Sequence, residues 1–242
     1  MEKPIAKDVH DAAALIEEYE TQFAAQTLIL AVAEQFRYDP GHERARQVIA
    51  DGAIGDLTAV HGRIWQNVQP GNKFYESEWR KKPAYQGGFL LDGGVHFVSL
   101  IRYVSGLEIQ ETASFSKQTF DHLPPVDTVH GALRFSSGAL GTLSMTFASA
   151  KNEYRYDFIG TKGSVTLTGE DGGTRIVVEN AKGQVVSDEN VKGNATIEEL
   201  SAFFSAIGSG NGKVDDRGSP RQALADVAVV ESLLTGGGLV RM

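Results

Sequence analysis

Thr128-Val129-His130-Gly131-Ala132-Leu133-Arg134-Phe135-Ser136-Ser137-Gly138-Ala139-Leu140-Gly141-Thr142-Leu143-Ser144-Met145-Thr146 is the stretch on which the fold turns. Val129, Leu133 and Phe135 recur at even spacing before Ser137-Gly138, and Leu143 and Met145 do so after it. A period of two puts one set of side chains on one face of a strand. A Ser-Gly step between two such runs marks a turn, and strands joined this tightly are antiparallel neighbours. The pattern extends outward. Strands are expected over residues 57–66, 112–117, 128–135, 140–148, 154–160, 164–168 and 175–179, with further turns at Thr161-Lys162-Gly163 and Asp171-Gly172-Gly173. Tyr154, Tyr156 and Phe158 at period two read as sheet packing rather than a ligand platform. Helices are expected over 40–50, ending at Asp51-Gly52, over 90–104, over 197–207, and from Ser219-Pro220 to Leu234. The expected fold class is α+β: an open-faced, mostly antiparallel sheet with helices on one face.

The first residues read differently. Asp8 suits a helix N-cap, with Asp11 three positions on. The helix after it leads to an apolar run over residues 27–33, which reads as a strand at the tail of an α/β unit. A lone α/β unit cannot cover both faces of a parallel sheet. The sequence is therefore expected to start inside a domain, leaving Leu15, Ile16, Leu28, Ile29 and Leu30 partly exposed.

Composition narrows the function. Twenty-three Lys and Arg against 31 Asp and Glu give a net charge of -8, which disfavours a nucleic-acid partner. With no cysteine there is no disulfide, thiolate nucleophile or Cys-built zinc site. The six histidines do not fall at metalloprotease spacing, and no metal site is expected. No signal peptide or run of 18 apolar residues is visible, so a cytoplasmic chain with no membrane partner is expected.

The densest chemistry lies in Gly87-Gly88-Phe89-Leu90-Leu91-Asp92-Gly93-Gly94-Val95-His96. On a helix, Asp92 and His96 share one face. A carboxylate near imidazole orients the ring, and histidine exchanges protons near pH 7. The flanking glycines permit close backbone approach to a planar or polyhydroxy ligand. The alternative is an Asp92 N-cap, a half-buried His96 and glycines that only turn the chain. Lys3, stiffened by Pro4, points into a ligand crevice if it lies at the C-terminal edge of a sheet; otherwise it is a solvated lysine. Arg37 and Tyr38 are further candidates. Trp79 and Arg80, in a long irregular stretch over residues 67–88, either stack on and bond an oxygen-rich substrate or belong to the charge run Arg80-Lys81-Lys82. Asp127 and His130 fall on a strand facing opposite ways and are discounted as a pair.

Glu2-Lys3-Pro4, Phe36-Arg37-Tyr38-Asp39-Pro40, Gly52-Ala53-Ile54-Gly55 and the glycine-rich segment ending at His96, in that order, resemble the glucose-fructose oxidoreductase, inositol dehydrogenase and rhizopine-catabolism (Gfo/Idh/MocA) family. Trp79-Arg80-Lys81-Lys82-Pro83 is most similar to a fungal-type branch. The resemblance runs from Lys3 to the last helix. It implies an NAD- or NADP-dependent oxidoreductase acting on a sugar, inositol or related polyol or carbonyl compound, and a homo-oligomer built on the open sheet face. It implies Lys3, Asp92 and His96 as catalytic residues, Glu2, Lys3, Pro4 and Arg37 at the cofactor, and Trp79, Arg80, Asp92 and His96 at the substrate. Residues 1–33 become a remnant of a Rossmann-like dinucleotide-binding domain, and residues 34–242 a substrate and oligomerisation domain. The family's Gly-x-Gly-x-x-Gly turn does not occur in the 242 residues. A truncated, inactive chain is thus one expectation, and a non-catalytic sheet domain serving assembly or regulation is the alternative.

Overall fold

The structure, a computed structural model, describes residues 1–26, 28–83, 85, 87–210 and 212–242. Thr27, where the expected first strand starts, lies outside the described residues, as do Ala84 and Gln86 of the expected long loop. The chain runs through helix α1 (Val9–Gln22), α2 (Pro40–Ala50), strand β1 (Leu57–Asn67), the short α3 (Glu78–Lys81) and α4 (Gly88–Ser105). There follow β2 (Ile109–Lys117), β3 (Thr128–Phe135), β4 (Leu140–Thr146), β5 (Ala148–Gly160), β6 (Gly163–Glu170), β7 (Gly173–Asn180) and β8 (Val185–Lys192). The chain closes with α5 (Ala195–Ser209), α6 (Pro220–Leu234) and β9 (Gly237–Leu239).

The strands form one sheet in the order β8-β7-β6-β5-β1-β4-β3-β2-β9. Among the nine described strands only β1 and β4 pair in parallel; the remaining ladders are antiparallel. The hairpin of β3 and β4 pairs Val129 with Met145 and Leu133 with Gly141. Their inward side chains, with Val60 and Ile64 of β1, are buried on the face where α4 and α6 pack, and Tyr156 and Phe158 of β5 are buried as well. The opposite face carries Phe115, Leu140 and Ile159, all exposed. Leu90, Leu100 and Ile101 of α4 are fully buried, each contributing roughly 1.5–3 kcal/mol through lost apolar surface.

Helix α4 starts at Gly88, not at Asp92, which corrects the N-cap reading of Asp92. Gly87 and Gly88 take φ of 80° and 42°, the left-handed region that favours glycine. Asp92 consequently sits in the second turn and is buried. A Cβ on Gly93 would lie 2.6 Å from the Phe147 ring, so glycine lets α4 close onto the end of β4.

Other expectations change at the margins. Residues 28–33 form no strand; among the described residues their ladder contact is one parallel bridge, Glu2 to Ala33, with Ala33 N–H donating to Met1 O at 2.8 Å. Lys3 leaves the bridge to bond Asp92, and the ladder stops after that one pair. Asp8 caps α1, accepting from Asp11 N–H at 2.8 Å. Ile16 is buried rather than exposed because α1 packs on α6. Leu28 does remain exposed. Strands β8 and β9 were not foreseen.

Candidate active site

The site forms where the first residues meet helix α4. Lys3 follows the Glu2 bridge directly, at a cis Lys3–Pro4 peptide. Its Nζ donates to Asp92 O at 2.5 Å and to Asp92 Oδ1 at 3.0 Å. From α3, Arg80 Nε donates to Asp92 Oδ2 at 2.8 Å, and the guanidinium lies 4.1 Å from the centre of the Trp79 ring. Both carboxylate oxygens are thereby engaged, and the side chains of Lys3 and Asp92 are only 12% and 8% exposed. Burial raises the Asp92 carboxyl, but the charge of Lys3 and the hydrogen bond from Arg80 outweigh it and hold it below the usual carboxylate range. Two cations against one carboxylate leave a positive surplus, which suits an oxygen that gains negative charge during reaction.

One turn on, His96 Nδ1 lies 2.6 Å from Glu34 Oε1, and its ring stacks on Phe36 at 4.6 Å and 16°. The carboxylate that orients His96 is therefore Glu34. Asp92 is spent on Lys3 and Arg80. Glu34 follows the Ala33 bridge and accepts Phe36 N–H at 3.2 Å, starting a 3-10 turn over Gln35–Tyr38. It is 1% exposed. Burial pushes its carboxyl up, while the charge and hydrogen bond of His96, then Arg37, pull it down further, and it ends below the usual range.

The remaining candidates separate. Trp79 is 46% exposed and tilted against Tyr85 at 6.4 Å, open to a bound molecule. Glu2 stays exposed on the bridge. Arg37, expected at a cofactor, is instead buried against Asp226, with Arg217 O and Gln222 O as further acceptors. Tyr38 packs under the Arg217 guanidinium. Asp127 caps the turn before β3 by accepting Thr119 and Phe120 N–H, while His130 faces out, so the two are no pair. Sequence reasoning missed Glu34. A usable cue was a lone acid directly after an apolar run, at the strand end where α/β sheets bind ligands.

Glu199 is a second unforeseen acid. It lines a cavity of about 320 Å³ with Met1, Glu2, Val32, Tyr38 and Phe203. Burial first, then Glu34 and Glu2, pushes its carboxyl up to about 7. Its proton is thus held more tightly in the folded chain than in the unfolded one, so this stabilisation is complete below about pH 4.5 and lost as pH rises through about 7. Glu199→Gln should raise the urea midpoint at pH 8 and leave it unchanged at pH 4.5; an equal rise at both values would contradict the assignment.

Among the described residues no helix is long and apolar enough to cross a membrane. A family model described as the GFO/IDH/MocA C-terminal domain matches residues 42–166. Dehydrogenase FPY6 of Fusarium mangiferae is 32% identical over 237 residues, 96% of this chain and 66% of that protein. The 1,5-anhydro-D-fructose reductase of Ensifer adhaerens is 28% identical over 251 residues, 97% of this chain and 70% of that one. The crystal structure of an oxidoreductase from Thermotoga maritima superposes with a TM-score of 0.86 at 30% identity, covering 99% of this chain and 69% of the other. Levoglucosan dehydrogenase, solved with NADH and levoglucosan, shares the fold at a TM-score of 0.81 and 20% identity, over 100% of this chain and 73% of its own. The chain thus spans about two thirds of the length of these proteins.

Proposed function

The chain belongs to the Gfo/Idh/MocA family of oxidoreductases, and from that premise we propose that it carries the substrate half of an NAD- or NADP-dependent dehydrogenase for a sugar, inositol or related polyol or its carbonyl form. The observation that carries this reading is the alignment on one face of α4 of Asp92, bridged to Lys3 and Arg80, and His96, held by Glu34. A bound nicotinamide supplies the hydride acceptor or donor. The residues present fit that chemistry at its reacting end: reduction of a carbonyl leaves a negative oxygen that needs a cation and a proton. No residue is assigned to the pyrophosphate, since the 242 residues contain no Gly-x-Gly-x-x-Gly turn.

In the oxidation direction His96 removes the hydroxyl proton as the carbon loses hydride, and in reduction it returns it. Lys3 stabilises the oxygen in its charged state, and Asp92 fixes the Lys3 ammonium and offers an acceptor to a neighbouring hydroxyl. Trp79 and Arg80 shield the opening and meet the sugar face. Residues 1–33 are read as the end of a dinucleotide-binding domain, a reading supported by the parallel Glu2–Ala33 bridge with α1 as its crossover. Residues 34–242 form the substrate domain, whose open face bearing Phe115, Leu140 and Ile159 is the surface for a second copy. The test is a screen of inositols, aldoses, ketoses and their oxidised forms against both cofactor pairs, read by nicotinamide absorbance. Saturable turnover with one cofactor and one polyol class supports the reading. Cofactor binding without turnover across the panel would count against it.

A further inference from the structure

We propose that Glu34 is the positioning residue of His96, holding its ring in the Nδ1–H tautomer so that Nε2 is the atom that exchanges the substrate proton. An ionised carboxylate only accepts hydrogen bonds. Glu34 is held below the usual carboxylate range, so the 2.6 Å contact requires His96 Nδ1 to be the donor. That leaves Nε2 with its lone pair. The ring cannot turn over easily, because it is stacked on Phe36, which Glu34 also anchors through its backbone N–H. One carboxylate thereby sets both the tautomer and the surface on which the ring rests.

The setting suits that task. Glu34 is nine-tenths buried and more, and its second oxygen, Oε2, has no hydrogen-bond partner among the described residues. A carboxylate placed in such surroundings is costly unless an adjacent charge answers it. When Nε2 takes a proton from a hydroxyl, the O–H bond breaks, the new N–H bond forms, and the positive charge that develops on the ring faces Glu34 directly. The Nδ1 proton stays between ring and carboxylate throughout, so Glu34 need not be protonated. The other groups facing the pair do not compete. Asp92 on α4 is engaged by Lys3 and Arg80. Arg37 is committed to Asp226. Glu199 of α5 has its carboxyl raised. His42 of α2, pushed down by burial, donates its Nδ1–H to Phe36 O at 2.7 Å, and its Nε2 lies 3.3 Å from Tyr154 Oη on β5. Tyr156, also on β5, keeps its phenol proton because burial pushes it far up.

The activity part of this inference rests on the proposed reaction; the tautomer part does not. The experiment is two-bond 1H–15N correlation of the 242-residue chain labelled at histidine nitrogen, with His96 assigned by its loss in His96→Asn. The expected wild-type pattern is a protonated Nδ1 and an unprotonated Nε2 at high pH. Glu34→Leu, which removes the acceptor, should convert His96 to the Nε2–H form and lower kcat about 100-fold or more with KM little changed. Glu34→Gln keeps an acceptor oxygen without the charge. It should retain the Nδ1–H form and lose less activity than Glu34→Leu. If Glu34→Leu does not fold, the wild-type tautomer and the Glu34→Gln spectrum still decide the matter. A wild-type Nε2–H form would overturn the proposal, as would Glu34→Leu with an unchanged spectrum. If cofactor binds and no substrate turns over, the dehydrogenase reading fails while the tautomer result still tests Glu34.

Discussion

Asp226→Ala should destabilise the folded chain by about 3–5 kcal/mol, although Asp226 touches no proposed substrate. Asp226 on α6 is 2% exposed at its side chain and stands between two guanidiniums. Arg102 Nη1 donates to Oδ1 at 2.5 Å, and Arg37 Nη2 bonds Oδ2. The alanine variant leaves two buried cations facing a void. Arg102 keeps Glu108 at 2.8 and 2.9 Å, whereas Arg37 keeps the backbone oxygens of Arg217 and Gln222 at 3.4 and 3.3 Å among the described residues. The cluster joins the turn that carries Glu34, the end of α4 and α6, so its loss loosens the scaffold behind His96. Urea unfolding checks this through the midpoint at constant slope. Replacing all three charges with apolar residues should cost less than Asp226→Ala alone, because no charge is then stranded. A loss below about 1 kcal/mol in Asp226→Ala would show that the arginines find other partners.

His96→Asn should lower kcat by roughly 10²–10⁴-fold with a small change in KM, the usual weight of a positioned proton-transfer group. The same change withdraws the partner of the buried Glu34, which costs about 1–3 kcal/mol for an acceptor left unmet. The two effects can be separated. Adding Glu34→Gln to His96→Asn removes the stranded charge and should recover much of the unfolding midpoint, while activity stays at the level of the single variant. Recovery of activity along with stability would mean that His96 acts only as a structural partner.

The hairpin at Ser137-Gly138 was legible because one face of β3 and β4 is buried and the other is not, and that asymmetry is written into alternate residues. Strand β8 was not. Ser187, Asp188, Glu189 and Asn190 carry no apolar alternation, and the strand is held at an edge by its ladder to β7 and by Asp188 against Arg175. Strand β9, Gly237–Leu239, is too short and too poor in side chains to show a period. At the site, the i, i+4 spacing placed Asp92 and His96 on one face, and the resemblance brought Lys3 to them. The actual partner of His96 lies 62 positions away, on a segment with no pattern of its own. Arg37 shows the converse. A charge destined for a buried ion pair 189 positions off looks, in sequence, the same as a charge destined for a ligand.

Transfer of hydride between a nicotinamide and a polyol carbon is the step that all the proposed roles serve. The decisive measurement is incubation of the chain with NADH or NADPH carrying deuterium at the reactive ring carbon, together with inosose and ketose acceptors, followed by mass spectrometry of the alcohols formed. One deuterium per product is expected on the carbinol carbon, with transfer strongly reduced in His96→Asn. Bound cofactor with no deuterium in any product, or equal transfer by His96→Asn, would contradict hydride transfer with His96 as the proton carrier.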